Sequence, residues 1–347
     1  MATSDVTDAE DMIADYARVT SYVSLTLCVV GVVGNLLAMR VLLQGAWRQV
    51  SSSVFLFWLA VADTVVLAGE SLDDLAEQLP DYTAADLEHG GNEWRCRLAT
   101  FVRRTGRLVS SWLVVALAVE LALTYERPIR ARAVCTRGRA FYVSMAVTLV
   151  GVAAAFPLVV ITTAADGVCS SKYAVFYALY RRVVLGVAAD VAAPLILIVL
   201  CLGKCAITYA RKDSLAAPPD VIDVNDNAMT SPAKLSLPFN CVVLLAGVFA
   251  ASTTPAAIIE AVDSADTFNV HLAPAGPYWQ IARLLARCVL LANYSLKLYM
   301  LMLLYDRFRA AFGKISSCGL IRPPKPYDDG PVEYSPSGVF EMRELTT

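Results

Sequence analysis

The chain has 347 residues, of which 57% are hydrophobic and 17% charged, with a formal net charge of −2 and a mean hydropathy of +0.56. That balance excludes a soluble globule and a basic nucleic-acid binder. Most of the chain must instead be solvated by lipid or by its own neighbouring helices.

Seven apolar stretches divide the sequence, roughly over 20–43, 53–72, 97–124, 139–163, 176–205, 237–261 and 277–304. About 20 apolar residues suffice for a helix to cross a hydrocarbon core. Backbone polar groups in lipid must be satisfied within the segment, so the stretches are predicted to be helices. The fold class expected is an all-α membrane protein, a seven-transmembrane helix bundle.

In chain order, residues 1–19 carry five acids against Arg18 and lack a basic n-region. They are therefore predicted to be an extracellular N-terminal segment and not a cleaved signal peptide. The connection over 70–94 has eight acids and no Lys or Arg, whereas 126–139 holds Arg127, Arg130, Arg132, Arg137 and Arg139. Positive loops stay cytoplasmic, which places the N-terminus outside and the C-terminus inside a plasma membrane. The bundle is assigned to 20–304. The connection over about 206–236 reads as a flexible cytoplasmic loop. An amphipathic helix is expected over 305–317, and 318–347, rich in Pro and acids, reads as a disordered tail. No P-loop, zinc-ligand spacing, serine elbow or internal repeat is evident. His89 and His271 both fall in outer loops. An enzyme, a cofactor and a nucleic-acid partner are not expected; contact with the lipid bilayer is. Cys28, Cys201, Cys241 and Cys288 read as small apolar fillers within spans.

The outer halves of the spans are basic. Span three has Arg103, Arg104 and Arg107; span five begins at Arg181 and Arg182; span seven has Arg283 and Arg287. A charge within a span costs about 2.5–3.5 kcal/mol on insertion scales and normally faces a partner or a water-filled cavity. Arg103 and Arg107 share a helical face, as do Arg283 and Arg287. One reading is a cavity for an anionic small molecule or acidic peptide. The other is internal pairing with Glu70, Asp190 and Glu260, with Arg181 and Arg182 snorkelling to headgroups. Seven arginines against three acids leave a positive excess.

Several residues fall at spacings that resemble the rhodopsin-like (class A) G-protein-coupled receptors. These are Gly34-Asn35 in GVVGNLLAMRVLL, Asp63 ending LAVAD, Trp94-Arg95-Cys96 at the start of span three, Cys169, Pro194, Phe249 with Pro255, and DRFRAAF after span seven. The resemblance covers about residues 20–316. The segments SSSVFLFWLAVADTVVL and SSWLVVALAVE are most similar to invertebrate FMRFamide-type neuropeptide receptors. It implies a receptor for an extracellular peptide or anionic ligand, with a heterotrimeric G protein or arrestin inside. It places Arg103, Arg107, Arg283, Arg287, Glu260 and Glu70 at the ligand cavity. It also implies a disulfide between Cys96 and Cys169, and makes Cys318 a palmitoylation candidate against the alternative of an unmodified thiol.

The departures from that family concern its coupling motifs. Where it has acid-Arg-aromatic at the end of span three, this chain reads Glu120-Leu121-Ala122. Thr253 replaces the Trp that precedes Pro255 by two residues; Leu202 and Leu301 replace tyrosines of spans five and seven. Ordinary signalling is therefore in doubt, and a non-signalling decoy, scavenger or dimer partner is the alternative; a transporter fits less well. The family holds a sodium ion at the position of Asp63, Ser110 and Asn293, and Lys297 stands one turn beyond Asn293. Its ammonium is expected either to pair with Asp63 as a tethered cation or to snorkel to the inner headgroups.

Overall fold

The computed structural model describes residues 2–44, 47, 50–78, 91–165, 168–171, 173–215, 239–267 and 277–316. The helices are α1 (Ala2–Leu42), α2 (Ser51–Gln78), α3 (Gly91–Glu126), α4 (Pro128–Val134), α5 (Arg137–Ala155) and α6 (Pro157–Ile161). A hairpin follows, β1 (Thr162–Ala165) antiparallel to β2 (Val168–Ser171), with Ala164 opposite Cys169. Then come α7 (Ala174–Tyr177), a π-helical segment (Ala178–Ala192), α8 (Ala193–Leu215), α9 (Phe239–Thr267), α10 (Pro277–Leu304) and α11 (Asp306–Ser316). The seven crossings are α1, α2, α3, α5–α6, α7–α8 with its π segment, α9 and α10. Six of them are long and apolar enough to cross a membrane; α10 carries Arg283, Arg287 and Lys297 among its apolar residues.

Packing runs around a ring. Helix α1 lies against α2 and α10, α9 against α10 and the π segment, and α3 fills the centre, touching α2, α5, α8 and α9. Close approach of α1 to α10 depends on small residues. A Cβ on Gly31 would stand 2.8 Å from the Ser295 Cα, and the Ser295 hydroxyl donates to the Leu27 carbonyl at 2.9 Å. Asn35 Nδ2 donates to the Tyr294 carbonyl at 3.2 Å across the same seam. The other face of the crossings is apolar and exposed, as at Leu149, Val150, Ile196 and Val199. Only 22% of the apolar window in Arg137–Ile161 is buried. Exposed apolar surface on this scale is lipid-facing.

Prolines set the irregularities. Helix α3 ends before Arg127-Pro128, and Pro128 opens α4, as expected where proline disfavours helix in the residue before it and is tolerated at a helix start. The predicted fourth span, 139–163, is divided at Phe156: Pro157 starts the short α6, and the chain is extended by Thr162. In the fifth crossing the Ala193 amide donates to the Ala188 carbonyl, five residues back. In that wide register the Ala189 carbonyl would look to residue 194, which is Pro194 and has no N–H. The indole of Trp112 supplies the missing donor, 3.1 Å from the Ala189 oxygen. Pro255 sits inside α9 next to a run in which Ser252, Thr253 and Thr254 all donate to carbonyls one turn back. Such back-bonding accompanies bent helices.

Two helices also run beyond their apolar stretches. Helix α1 begins at Ala2, well before residue 20, and α8 continues to Leu215, past the predicted end of span five. His89, His271, most of the 206–236 connection and the tail from 318, with Cys318, lie outside the described residues.

Candidate functional site

The bundle has a hairpin end and an α11 end, and its polar groups form one centre near the first and another midway down. At the hairpin end, a cavity of about 280 Å³ opens among α2, α3, the π segment, α9 and α10. Helix α3 contributes Arg103, Arg104 and Arg107 to its wall, the π segment Arg181, and α10 Arg287; the facing acids are Glu70 of α2 and Glu260 of α9. Glu70 is the hub. Its oxygens lie 2.6 Å from Arg107 Nη2, 3.0 Å from Arg287 Nη2 and 3.9 Å from Arg103 Nη1. Glu260 lies 3.3 Å from Arg104 Nη2 and 3.7 Å from Arg107 Nη1. Behind Arg104, Asp190 accepts a 2.5 Å hydrogen bond from Ser111 and stands 3.8 Å from Arg104 Nη1. Gly186 makes room for this arrangement, because a Cβ there would run into the Glu260 carboxylate and come within 3.2 Å of Arg104 Nη1.

The sequence-derived set divides here. Arg103, Arg107, Arg287, Glu70 and Glu260 come together. Arg283 does not join the cavity lining: it reaches Asp263 at 2.5 Å and lies over the Trp279 ring. Asp263 also accepts from the Trp279 indole at 3.2 Å, a local acid that holds Arg283 at the periphery. Arg182 donates to the Asp263 carbonyl at 3.0 Å. Arg181, expected to snorkel, lines the cavity and lies 5.3 Å from the Tyr177 ring centroid. Arg104 and Thr100 also line it and were missed as site residues. The signal for them was present: 100, 103, 104, 107 and 111 form one helical stripe.

Midway down the bundle, Lys297 points inward. Its ammonium is 3.0 Å from Asp63 Oδ1 and 2.9 Å from Oδ2, and it donates to the Ser110 hydroxyl at 2.9 Å. That hydroxyl donates to Asp63 Oδ1 at 2.6 Å. Asp63 is 0% exposed and Lys297 4%. The Tyr294 ring lies 5.2 Å from the ammonium, within cation–π range. Snorkelling does not occur. Asn293 is equally buried, but its side chain has no hydrogen-bond partner among the described residues.

At the α11 end, Glu120 accepts a hydrogen bond from the Ser51 hydroxyl. Ser51 opens α2, so the carboxylate sits where helix N–H groups lack partners and the dipole favours an anion. Leu121, Ala122 and Leu301 are buried in one apolar cluster with Leu245 and Phe249, and Leu202 packs against it. The Thr253 hydroxyl turns back to the Phe249 carbonyl at 2.6 Å. Trp47 seals the corner edge-on to Tyr305, just before α11, and to Phe308 of α11.

Cys96 is disulfide-bonded. The Cys169 side chain is outside the described ones, but its strand belongs to the hairpin that packs on α3, where Arg97 Nε donates to the Thr162 carbonyl at 3.0 Å.

No family model matches the chain. It is 30% identical to the thyrotropin-releasing hormone receptor of Gallus gallus over 131 residues, 38% of this chain and 32% of that receptor. With the receptors of that name from Bos taurus and Homo sapiens it is 28% identical over 126 residues, 36% of this chain and 30% of each. The chain thus spans about a third of the length of the curated relatives it matches. The described residues form a helical bundle with six helices long and apolar enough to cross a membrane, and over about a third of its length the chain is similar to these receptors.

Proposed function

We propose that the chain is a plasma-membrane receptor whose hairpin end faces outside, and that its cavity receives the acidic group of an extracellular peptide. The observation that carries this reading is that, among the described residues lining a recess between the spans, guanidinium groups outnumber carboxylates. Charges so placed normally serve a ligand or a pathway. The relatives are named as receptors of a releasing hormone, which supports an extracellular hormone as ligand. The disulfide of Cys96 is assigned to Cys169, tying the hairpin over the mouth of the cavity. The resemblance to FMRFamide-type receptors is retained for the scaffold and not for the ligand, because a peptide carrying Arg would bring a cation to a cavity that already has an excess of them.

Signalling is a separate question. Leu121 is 5% exposed inside an apolar cluster, so no cation is presented from that position. This favours, as a second reading, the same fold working without G protein as a scavenger, decoy or dimer partner. The test is a screen of the full chain, expressed in cells, against neuropeptide libraries that include acidic sequences, with G-protein and arrestin readouts run in parallel. An acidic peptide that binds, and binds less well to Arg287→Gln, supports the ligand reading. Binding that ignores substitutions at Arg103, Arg107 and Arg287 refutes it. Arrestin recruitment or uptake without nucleotide exchange selects the second reading.

A further inference from the structure

We infer that the short helix α4 and the first turn of α5 form a docking surface for anionic phospholipid headgroups at the α11 end of the bundle. The inference goes beyond the ligand reading and does not depend on the cavity. Arg127, Arg130, Arg132, Arg137 and Arg139 follow one another closely, and no Asp or Glu occurs between Glu126 and Asp166. All five arginines are exposed, and Ile129 among them is 87% exposed. Within α4 only Ala131 is buried, so the helix rests on the bundle by one residue and its outer face is unpartnered.

The surface has a fixed shape and a defined depth. The Thr136 hydroxyl caps α5 by accepting from the Arg139 amide at 3.5 Å. Arg139 Nη1 donates to the Ala133 carbonyl at 3.0 Å, which ties the end of α4 to the start of α5. Just beyond, Phe141 packs on Trp58 of α2 and Tyr142 is exposed. Aromatic residues so placed mark the level of the headgroups. Arg137 and Arg139 precede Tyr142 by five and three residues, about 5–8 Å along the axis. Leu149 and Val150 then expose the apolar, lipid-facing side of α5. The arginines therefore stand beside lipid phosphates. Guanidinium groups bind phosphate oxygens in pairs, and a basic cluster next to a span complements an anionic leaflet. Ile129 supplies an apolar side chain of the kind that enters the boundary between headgroups and acyl chains. Lipid is the occupant because this surface runs without a break into the lipid-facing side of α5.

The full-length protein in an uncharged detergent is titrated with dioctanoyl phosphatidylinositol bisphosphate, phosphatidylserine and phosphatidylcholine, and with the soluble glycerophosphoinositol bisphosphate. Affinity is read by thermophoresis. The expected order is bisphosphate, then serine, then choline, with the soluble headgroup weaker than its lipid. Each arginine near an anionic lipid surface is worth about a fivefold factor. Arg130→Gln/Arg132→Gln/Arg137→Gln should therefore lose at least about tenfold for the anionic lipids and little for phosphatidylcholine. Arg139 is kept for its bond to α4. Arg132→Gln alone should lose about fivefold, and the matching triple Lys variant should recover part of the loss. Ile129→Ser should weaken the lipids and leave the soluble headgroup unchanged. Equal affinity for all three lipids, or a triple Gln variant that binds like the parent, would overturn the inference. A soluble headgroup that binds as tightly as its lipid would overturn the membrane as its source. Variants that keep their lipid affinity but lose capture of a G protein or arrestin would make the face a protein-docking surface and overturn it too.

Discussion

Replacing Lys297 with Met would leave the Asp63 carboxylate, 0% exposed, with the Ser110 hydroxyl as its remaining close polar contact. The substitution removes an ammonium that lies 3.0 and 2.9 Å from the two carboxylate oxygens and 2.9 Å from Ser110. Breaking a buried pair from one side costs about 3–5 kcal/mol, mostly as the penalty on the charge left behind. Asp63→Asn strands the ammonium and should cost a similar amount. The double variant Asp63→Asn/Lys297→Met removes both charges and keeps an acceptor for Ser110, so it should lie within about 1 kcal/mol of the parent. The expected coupling energy from the cycle is then about 5 kcal/mol or more. Equilibrium unfolding in bicelles, reported by steric trapping, measures all four species. Two mild single variants, or a double variant equal to the sum of the singles, would show that the pair contributes nothing beyond its separate parts, and the reasoning would fail.

The same pair predicts that ligand affinity is unchanged when sodium is exchanged for choline at constant ionic strength, and that Lys297→Asn restores a sodium response; sodium-sensitive binding by the unmodified chain counts against it. Cys96→Ser and Cys169→Ser should each lower surface expression, and free alkylation of both thiols in the folded, non-reduced protein would refute their pairing. Ligand-driven nucleotide exchange should be weak. Leu121→Arg should not restore it, because the new charge enters an apolar cluster at a cost of about 2.5–3.5 kcal/mol while Leu202, Thr253 and Leu301 stay altered. Robust G-protein activation by the unmodified protein refutes this.

The spans were legible because a bilayer imposes a length and a polarity that no side-chain detail can disguise. Their interruptions were less so. Pro157 and Pro194 are plain in the sequence, yet whether a proline bends, breaks or widens a helix depends on what meets the orphaned carbonyl. For Pro194 that partner is Trp112, on a different helix. The cavity was legible as a charge excess and not as a residue list. Helical spacing put Arg283 on the face of Arg287, but Asp263, twenty residues before Arg283 in sequence, captures it. Arg181 was hidden for a related reason: a π-helical turn changes which face a residue presents, and nothing in local composition announces a π register. The Asp63–Lys297 contact spans 234 positions. It was foreseeable from the resemblance, which puts Lys297 one turn beyond the sodium position of Asp63, Ser110 and Asn293, together with the cost of leaving two buried charges unpaired.

The two polar centres share three helices. Helix α2 gives an acid to each, Asp63 and Glu70, seven residues and so about 10 Å apart along the axis. Helix α10 gives a cation to each, Lys297 and Arg287. Helix α3 gives Ser110 to one, and Arg103 and Arg107 to the other. The deeper centre pairs one acid with one cation and is closed, with Asp63 fully buried; the one near the hairpin has more guanidinium groups than carboxylates among its described lining residues and opens into a cavity. On the proposed reading an acidic ligand competes with Glu70 for Arg287 and Arg107, loosening α10 from α2 at the hairpin end. The Lys297 contact keeps the same two helices joined two to three turns further down. A ligand can then tilt α10 about that contact more easily than slide it, because sliding would break a buried ion pair and tilting need not. A freely exchanging ion would impose no such pivot. On the proposed reading, Leu121 in place of a cation and Lys297 beside Asp63 act in the same direction, toward binding at the hairpin end with restrained transmission to the α11 end.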